Sequence, residues 1–366
     1  MNKFGFLGLG LIGGSIARAV REKLPDAKIY VYDTNAEALS LSEAEGIADC
    51  TADHIDDTFR ECDMIFLCAP VKNNAENLRS LSSLPLSDNC IITDVGSVKT
   101  DIHNTVRSLN MEERFIGGHP MTGSERIGFA NSRANLLQDA YYCITPTGKA
   151  PQKMLDDYTE LVRTLGAIPV VLDYKEHDYV VAAISHVPHV IASSLVNLIK
   201  KSDNKEELMK MLAAGGFKDI TRIASSSSKM WQQICLTNSE NISKLLSDYI
   251  ASLSDIKADI DSARADEIFD FFAAAREYRD SFAIASSGPI KTQYIITVDI
   301  RDETGSIATI AALLAKNNIN IKNIGINHNR EAAEGILKIE LYDESSVKNA
   351  LSLLKESGYA VRSRSE

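Results

Sequence analysis

A histidine, two hydroxyls and a carboxylate follow a pair of glycines in the stretch GGHPMTGSE, residues 117–125. A neutral imidazole such as that of His119 is the usual proton acceptor near neutral pH, and Ser124 and Glu125 add polar groups beside it. By pattern alone such a segment is more often a structural turn, because glycine and proline occur in loops everywhere. Other reactive groups in the chain must favour one interpretation over the other.

Three further stretches carry polar groups of the kind that bind or convert a small anion: DVGSVK (94–99), SHVPH (185–189) and GGFKDITR (215–222). Arg222 offers a permanently charged, bidentate partner for a carboxylate. Lys99 is expected to be solvated, and His186 to make a structural hydrogen bond. His186 and His189 are three residues apart, but the chain has no H-E-x-x-H motif, and we expect no metal site.

A glycine-rich stretch near the N-terminus, GLGLIG at 8–13, matches the G-x-G-x-x-G pattern of dinucleotide loops. A lone match is weak, but this one follows a predicted strand, opens a predicted helix and is answered by Asp33 at the end of the next strand. A carboxylate there repels a 2′-phosphate, which favours NAD over NADP. The predicted cofactor-binding residues are Gly8, Gly10, Leu11, Ile12, Gly13, Asp33, Ala69 and Pro70.

Composition narrows the class of protein. A length of 366 residues favours two or three domains, and a net charge of −11 argues against nucleic acid or an anionic membrane as a partner. No uninterrupted apolar run reaches the roughly 18 residues of a membrane span. The six cysteines are scattered without a C-x-x-C pair, which predicts free thiols in a reducing compartment and a cytoplasmic protein.

Three regions differ in hydrophobic pattern. Residues 1–173 alternate short β-branched runs with helix-length spacers, which predicts an α/β Rossmann-type dinucleotide-binding domain with a mostly parallel sheet. Residues 174–285 show apolar side chains at three- and four-residue spacing, which predicts an all-α domain. After a short linker, residues 291–366 predict a ferredoxin-like βαββαβ domain.

With these pieces in this order, the chain resembles prephenate dehydrogenase of the tyrosine pathway, in the form that carries a C-terminal ACT regulatory domain. The matching stretches are GLGLIGGS, DVGSVK, GGHPMTGSE, SHVPH and GGFKDITRIA with MW shortly after. The resemblance covers essentially the whole chain. It implies NAD-dependent oxidative decarboxylation of prephenate to 4-hydroxyphenylpyruvate, a homodimer, and L-tyrosine as feedback effector.

The resemblance also assigns roles to individual residues. His119 corresponds to the catalytic histidine and Ser97 to the serine that shares the substrate's ring hydroxyl. His189 and Arg222 match residues that hold substrate carboxylates. Glu125 resembles an acidic residue at the mouth of the pocket, and Ser124 is a further predicted substrate-binding residue. Ser124 stands where threonine is usual in the family.

The C-terminal loop Asp302-Glu303-Thr304-Gly305-Ser306 resembles the ACT loop that binds a free amino acid, and Asp302, Thr304, Gly305 and Ser306 are the predicted effector-binding residues. Thr304 replaces the family's usual proline, and a purely dimerising module remains the alternative.

Two other functions remain open. One is arogenate dehydrogenase, the same chemistry on the aminated substrate; the other is a non-catalytic regulator that senses NAD and an amino acid. The joint presence of His119, Ser97, His189 and Arg222 argues against the regulator.

Overall fold

The computed structural model describes residues 1–123, 126–285, 294–301, 303–328 and 334–363. The chain forms two compact units, Met1–Ile268 and Phe269–Glu366. Of the residues singled out above, Ser124, Glu125 and Asp302 lie outside the described residues.

The first part of the Met1–Ile268 unit is built on a five-stranded parallel sheet in the order β3-β2-β1-β4-β5. Its strands are β1 Lys3–Leu7, β2 Lys28–Tyr32, β3 Cys50–Ala52, β4 Met64–Leu67 and β5 Ile91–Asp94. The helices that connect or follow them are α1 Leu11–Lys23, α2 Ala36–Ala44, α3 Val71–Ser82 and α4 Thr100–Ser108. Apolar side chains are buried on both faces of this sheet, as expected when helices cover a parallel sheet on each side. The predicted Rossmann-type arrangement is therefore confirmed.

A second, three-stranded sheet corrects the expectation of one mostly parallel sheet. Its strands are β6 Ile116–Pro120, β7 Tyr141–Pro146 and β8 Ile168–Val171, with α5 Gln152–Thr164 between the last two. β6 runs antiparallel to β7, and β7 runs parallel to β8. A single bridge between Ile92 and Phe115 links the two sheets. Short 3₁₀ turns lie at Asp57–Phe59, Glu112–Arg114, Phe129–Asn131 and Ala134–Leu137.

His119 therefore lies on a strand and not in the turn predicted from its glycines. The sequence IGGHP lacks a strand pattern because two of its five residues have no side chain to bury. A Cβ at Gly117 would lie 2.3 Å from Thr145 Oγ1, and one at Gly118 would lie 2.3 Å from the Tyr158 hydroxyl. The two glycines serve close packing, which brings the His119 strand against its neighbours.

The described residues from Tyr174 to Ala285 are helical, as predicted. The helices are α6 Tyr174–Val181, α7 Val187–Ser202, α8 Leu208–Leu212, α9 Gly215–Thr221, α10 Ser228–Thr237, α11 Ser239–Asp261 and α12 Ala265–Ala285, with a 3₁₀ turn at Arg222–Ser225. The last helix crosses the boundary between the two units.

A π-helical turn, Ala182–His186, joins α6 to α7 into one continuous helix. Pro188 has no N–H to donate and its ring crowds the preceding turn, and the backbone widens just before it, with Val187 N–H bonding to Ala182 O. By length and composition alone this 29-residue helix, Tyr174–Ser202, is apolar enough to cross a membrane. This is weak evidence for a membrane span, and Asp178 within the helix instead binds the backbone at the start of α4.

The Phe269–Glu366 unit contains the predicted βαββαβ order. Its elements after α12 are β9 Tyr294–Arg301, α13 Ser306–Lys316, β10 Ile321–His328, β11 Glu334–Leu341, α14 Glu344–Glu356 and β12 Val361–Ser363. The sheet is antiparallel with the order β10-β11-β9-β12, and its buried face includes Ile296, Val298 and Leu337. The ferredoxin-like topology is confirmed, whereas the regulatory role of this module stays a prediction.

Candidate active site

The glycine loop after β1 has the shape that a pyrophosphate needs. Gly8 has φ +106°, and a Cβ there would lie 2.7 Å from the backbone nitrogen of Ala69; a Cβ at Gly13 would lie 2.4 Å from Gly8 O. Both glycines are required for packing. A Cβ at Gly10 would meet no atom within 4 Å, so the space in front of the α1 N-terminus is open. Leu11 and Ile12 begin that helix, whose free N–H groups and dipole favour a phosphate.

Asp33 is fixed beside this loop. Its Oδ2 accepts a hydrogen bond from Leu9 N–H at 2.5 Å, and its Oδ1 accepts one from Asn35 N–H at 2.7 Å. The carboxylate thus stands at the end of β2, where the ribose of a dinucleotide lies in this fold, and the predicted placement agrees with the structure.

Ala69 and Pro70 follow β4, directly across from Gly8, and are held by a residue that the sequence did not single out. Asn74 is buried in α3, where its Oδ1 accepts from Ala69 N–H at 3.0 Å and its Nδ2 donates to Leu67 O at 3.2 Å. An asparagine inside a helix pattern carries no signal of this kind, because both bonds reach back to the preceding strand end.

The most concentrated polar cluster surrounds His119. Nδ1 of His119 lies 2.8 Å from Nε2 of His177, and Nδ1 of His177 lies 2.9 Å from Oδ1 of Asp178. We call this the histidine chain. His177 and Asp178 are 0% and 1% exposed, and both lie on α6 of the helical region. Sequence reasoning missed both, because nothing in YKEHDYVV distinguishes them from the polar face of a helix.

Asp178 also ties the helical region to the start of α4. Its Oδ1 accepts from Lys99 N–H at 2.7 Å, and its Oδ2 accepts from Thr100 N–H at 2.8 Å and from the Thr100 hydroxyl at 2.6 Å. Free N–H groups at a helix N-terminus favour an anionic partner. One carboxylate therefore both caps α4 and ends the histidine chain.

The expectation that Lys99 is solvated is wrong. Lys99 is 0% exposed; its amine pairs with the carboxylate of Asp94 and donates to Gly118 O at 2.6 Å. Burial lowers the pKa of Lys99 below its ordinary value, although Asp94 and Asp178 act in the opposite direction. The contact depends on β5 and β6 meeting in space, which residue order does not reveal.

Ser97 lies in the loop between β5 and α4, two residues before Lys99, and is partly exposed. Because the Lys99 amine bonds to the carbonyl of Gly118, this loop is tied to the strand residue next to His119. Ser97 and His119 therefore lie on two segments, the loop after β5 and the strand β6, that this hydrogen bond joins.

Burial and neighbouring basic side chains keep His119 neutral. Burial lowers the pKa of His119 well below its usual value, and His177, Lys99 and His186 lower it further. Burial alone would raise the pKa of Asp178, but hydrogen bonds from His177, Thr100 and the backbone of Lys99 outweigh it, and the net shift is downward. At neutral pH the histidine chain therefore has an ionised carboxylate at one end, Asp178, and a neutral imidazole at the other, His119, which is able to accept a proton.

His189 lies in a separate cavity of the helical region. Its ring stacks on Trp231 with 3.8 Å between the ring centroids, and the two line a cavity of about 540 Å³. Burial lowers the pKa of His189, as does the charge of Arg222 at the start of the 3₁₀ turn after α9, against an opposing hydrogen bond with the Ile223 backbone. The indole Nε1 of Trp231 is buried without a hydrogen-bond partner in the described part of the chain.

The residues that line this cavity all come from the helical region, and neither His119 nor Ser97 is among them. His186 lies between the histidine chain and the cavity lined by His189 and Trp231. It lowers the pKa of His119, and its ring contacts the edge of Trp231 with centroids 5.9 Å apart. Its Nδ1 lies 3.2 Å from Nδ2 of Asn238, so the structural hydrogen bond expected of His186 is present.

Within the described ranges, no group of three histidine, cysteine, aspartate or glutamate side chains could hold a metal ion. His177 and Asp178 are bonded to each other, to Nδ1 of His119 and to backbone N–H groups at the start of α4.

Two family models match the chain. One, "Prephenate dehydrogenase, nucleotide-binding domain", matches residues 16–171, and the other, "Prephenate dehydrogenase, dimerization domain", matches residues 173–274. A curated prephenate dehydrogenase of Bacillus subtilis is 36% identical over 344 residues, covering 94% of this chain and 93% of the relative.

Solved structures give the same grouping. A crystal structure of prephenate dehydrogenase from Aquifex aeolicus, in complex with hydroxyphenyl propionate and NAD+, has a TM-score of 0.72 and 33% identity, covering 77% of this chain and 98% of that one. Arogenate dehydrogenase of Synechocystis has a TM-score of 0.69 and 26% identity, covering 76% of this chain and 99% of that one. The chain therefore belongs to the prephenate dehydrogenase family of NAD-dependent oxidoreductases.

Proposed function

We propose specific residue roles in the reaction of this family, the NAD-dependent oxidative decarboxylation of prephenate to 4-hydroxyphenylpyruvate. When bound, the nicotinamide supplies the hydride acceptor. The open space at Gly10, the free N-terminus of α1 and the carboxylate of Asp33 fit a dinucleotide without a 2′-phosphate. Removing hydride from the ring carbon leaves a hydroxyl proton to be accepted by the protein.

His119 accepts that proton, and the observation that supports this role is its position at the neutral end of the histidine chain. Ser97, on the adjacent loop, shares the hydroxyl and helps to orient it. The ring carboxylate then leaves as carbon dioxide, and the electron pair of the broken C–C bond completes the aromatic ring. The proton held by His119 returns to the ring oxygen to give the phenol, and no metal is needed for these steps.

His189 and Arg222 hold the substrate's carboxylates. The cavity beside His189 lies within the usual size range for a small-molecule site, and the buried indole nitrogen of Trp231 offers a further donor. Ser124 and Glu125, outside the described residues, are assigned to the pocket mouth by resemblance alone.

The assignment of Arg222 is tested by Arg222→Gln. Loss of a charge-assisted hydrogen bond should raise KM for prephenate by the equivalent of roughly 1.5–3 kcal/mol, with the affinity for NAD unchanged. Equal weakening of NAD binding would show that Arg222 is structural.

Prephenate is favoured over arogenate by the relatives of higher identity, whereas the similarity to the Synechocystis arogenate dehydrogenase keeps the aminated substrate as the second candidate. An arogenate-preferring site needs a group that pairs with the substrate's ammonium. Assays with both substrates separate the two functions.

The active species is a homodimer formed through the helical region. Large apolar side chains are exposed there, with Leu212, Met211 and Leu236 each about two-thirds exposed or more. Exposed apolar side chains on the helical region support a surface that a second copy of the chain covers. Light scattering on the purified chain should give twice the mass of one chain, and a monomer would contradict this. The cytoplasmic location stays a prediction from composition.

Tyrosine inhibits the enzyme through the C-terminal module. Gly305, with φ +96°, precedes α13, whose first N–H groups have no side-chain cap, and Thr304 and Ser306 flank it. Such a helix start can bind the carboxylate of an amino acid. A chain truncated after Pro289 should stay active and lose remote inhibition by tyrosine. Identical inhibition curves for full-length and truncated chains would place tyrosine at the active site instead.

A further inference from the structure

We infer that His177 and Asp178 are positioning residues that fix which nitrogen of His119 carries the hydrogen, and so leave Nε2 as the base. The inference rests on the proposed role of His119 as proton acceptor. It concerns side chains 58 and 59 residues away from His119 in sequence, on a different element of the fold.

Asp178 determines the direction in which the hydrogen bonds of the histidine chain are donated. An ionised carboxylate can only accept hydrogen bonds, and this one accepts from Lys99 N–H, Thr100 N–H and the Thr100 hydroxyl. Nδ1 of His177, 2.9 Å from the same carboxylate, must therefore be the protonated nitrogen of that ring.

A neutral imidazole has two tautomers, with its hydrogen on either Nδ1 or Nε2. With its hydrogen on Nδ1, His177 has a lone pair on Nε2, which lies 2.8 Å from Nδ1 of His119. A hydrogen bond between these two nitrogens requires the hydrogen on Nδ1 of His119. Nε2 of His119 then carries the free lone pair that accepts the substrate's proton.

The surrounding charges favour this arrangement over a doubly protonated His177. With a hydrogen on both of its nitrogens, His177 would donate through Nε2, and Nδ1 of His119 would become the acceptor of that hydrogen bond. The hydrogen of a neutral His119 would then lie on the Nε2 of His119. Around the pair lie the amine of Lys99 with Asp94, the ring of His186, and Cys143, which pairs with His119 across β6 and β7. Asp94 is already paired with the Lys99 amine, so Asp178 alone would have to compensate an imidazolium at the fully buried His177, which is costly.

A purely structural role for Asp178 must be separated from the positioning role, because its carboxylate also caps α4. His177 makes no such backbone contact through its side chain in the described part of the chain. Substitution at His177 therefore tests the positioning with less risk to the fold.

The test compares His177→Leu with His177→Gln in the full chain. Leucine fills the buried space but accepts no hydrogen bond, and kcat should fall by about 10- to 100-fold while KM for prephenate and NAD stays within about twofold. Glutamine offers a carbonyl oxygen that can accept from His119 Nδ1–H, and it should recover most of the lost kcat.

The spectroscopic readout is ¹⁵N NMR of histidine-labelled protein, with His119→Asn used to assign the signals. The expected result is His119 with hydrogen on Nδ1 in the unsubstituted chain and in His177→Gln, and a mixture of tautomers in His177→Leu. Equal kcat in all three chains, equal loss in Leu and Gln variants, or hydrogen on Nε2 of His119 in the unsubstituted chain would overturn the inference. If His119→Asn itself keeps normal turnover, the proposed function of His119 fails; if only the His177 variants are normal, the positioning role fails alone.

Discussion

The glycine loop and the histidine chain lie in the same unit and work by different physical means. The loop is backbone: Gly8 and Gly13 let segments pack closely, and Gly10 leaves space. The histidine chain is made of side chains, of which His177 and Asp178 are almost entirely buried, and its property is the placement of protons. One site depends on shape and the other on titration.

The difference predicts how each site fails. A change in the loop should alter cofactor affinity and leave the pH dependence of turnover intact, because no titrating group is moved. A change in the histidine chain should alter turnover and its pH dependence while cofactor affinity stays the same.

His119→Asn should lower kcat by roughly 10²–10⁴-fold, because a hydrogen-bonding side chain remains but the basic nitrogen is lost. KM for prephenate and the affinity for NAD should change little. Steady-state NADH formation together with direct NAD titration measures both quantities. Near-normal turnover would return His119 to a structural role.

Gly10→Ala and Gly13→Ala form a matched pair within one loop. A methyl at Gly10 meets no protein atom, so the melting temperature should hold while KM for NAD rises about tenfold or more, since the methyl enters the pyrophosphate's space. A methyl at Gly13 would lie 2.4 Å from Gly8 O and should destabilise the unit by roughly 1–3 kcal/mol. Equal effects of the two changes on stability would contradict the assignment of the space at Gly10 to the cofactor.

Asp33→Ser should shrink the preference for NAD over NADP in kcat/KM. The carboxylate repels a 2′-phosphate, and serine removes that repulsion while retaining a hydroxyl. Turnover at saturating NAD should stay close to that of the unsubstituted chain. An enzyme that already uses both cofactors equally would show that Asp33 does not face the ribose.

Acid should destabilise the Met1–Ile268 unit through buried histidines. Burial lowers the pKa of His103 and of His186 to about 4, whereas an unfolded histidine titrates near 6.5. Between these values the unfolded chain binds more protons, so the free energy of unfolding falls as pH drops from about 6.5 toward about 4.

His103→Gln should reduce this loss of stability in acid. At low pH its melting temperature should exceed that of the unsubstituted chain by roughly 2–4 °C for each kcal/mol by which the free energy of unfolding is higher. Parallel curves for the His103 variant and the unsubstituted chain would show that His103 does not contribute.

The same comparison explains what could be predicted from the sequence. The glycine loop was predictable because its residues and Asp33 lie within 26 positions and each has a local geometric requirement. The helical region and the βαββαβ order followed from periodicity. The strand that carries His119 was mistaken for a turn, because Gly117 and Gly118 remove the hydrophobic alternation that indicates a strand.

Of the three residues of the histidine chain, only His119 could be predicted from the sequence. His119 stands out in its motif, but His177, Asp178 and buried Lys99 become partners only after α6 packs against the start of α4. Their residue types are common on helix surfaces, and a single sequence carries no signal for the contact between His119 and His177, 58 positions apart, or for that between Lys99 and Asp178, 79 positions apart. Trp231 against His189 is a similar long-range contact, here between two helices of one region.

The most direct test of the account is the initial rate of NADH formation by the full chain with NAD and either prephenate or arogenate. The account predicts NADH and 4-hydroxyphenylpyruvate in equal amounts from prephenate, and a kcat/KM for prephenate at least tenfold above that for arogenate. A preference for arogenate would transfer the enzyme to the second candidate function, and the absence of NADH with both substrates would contradict the catalytic account.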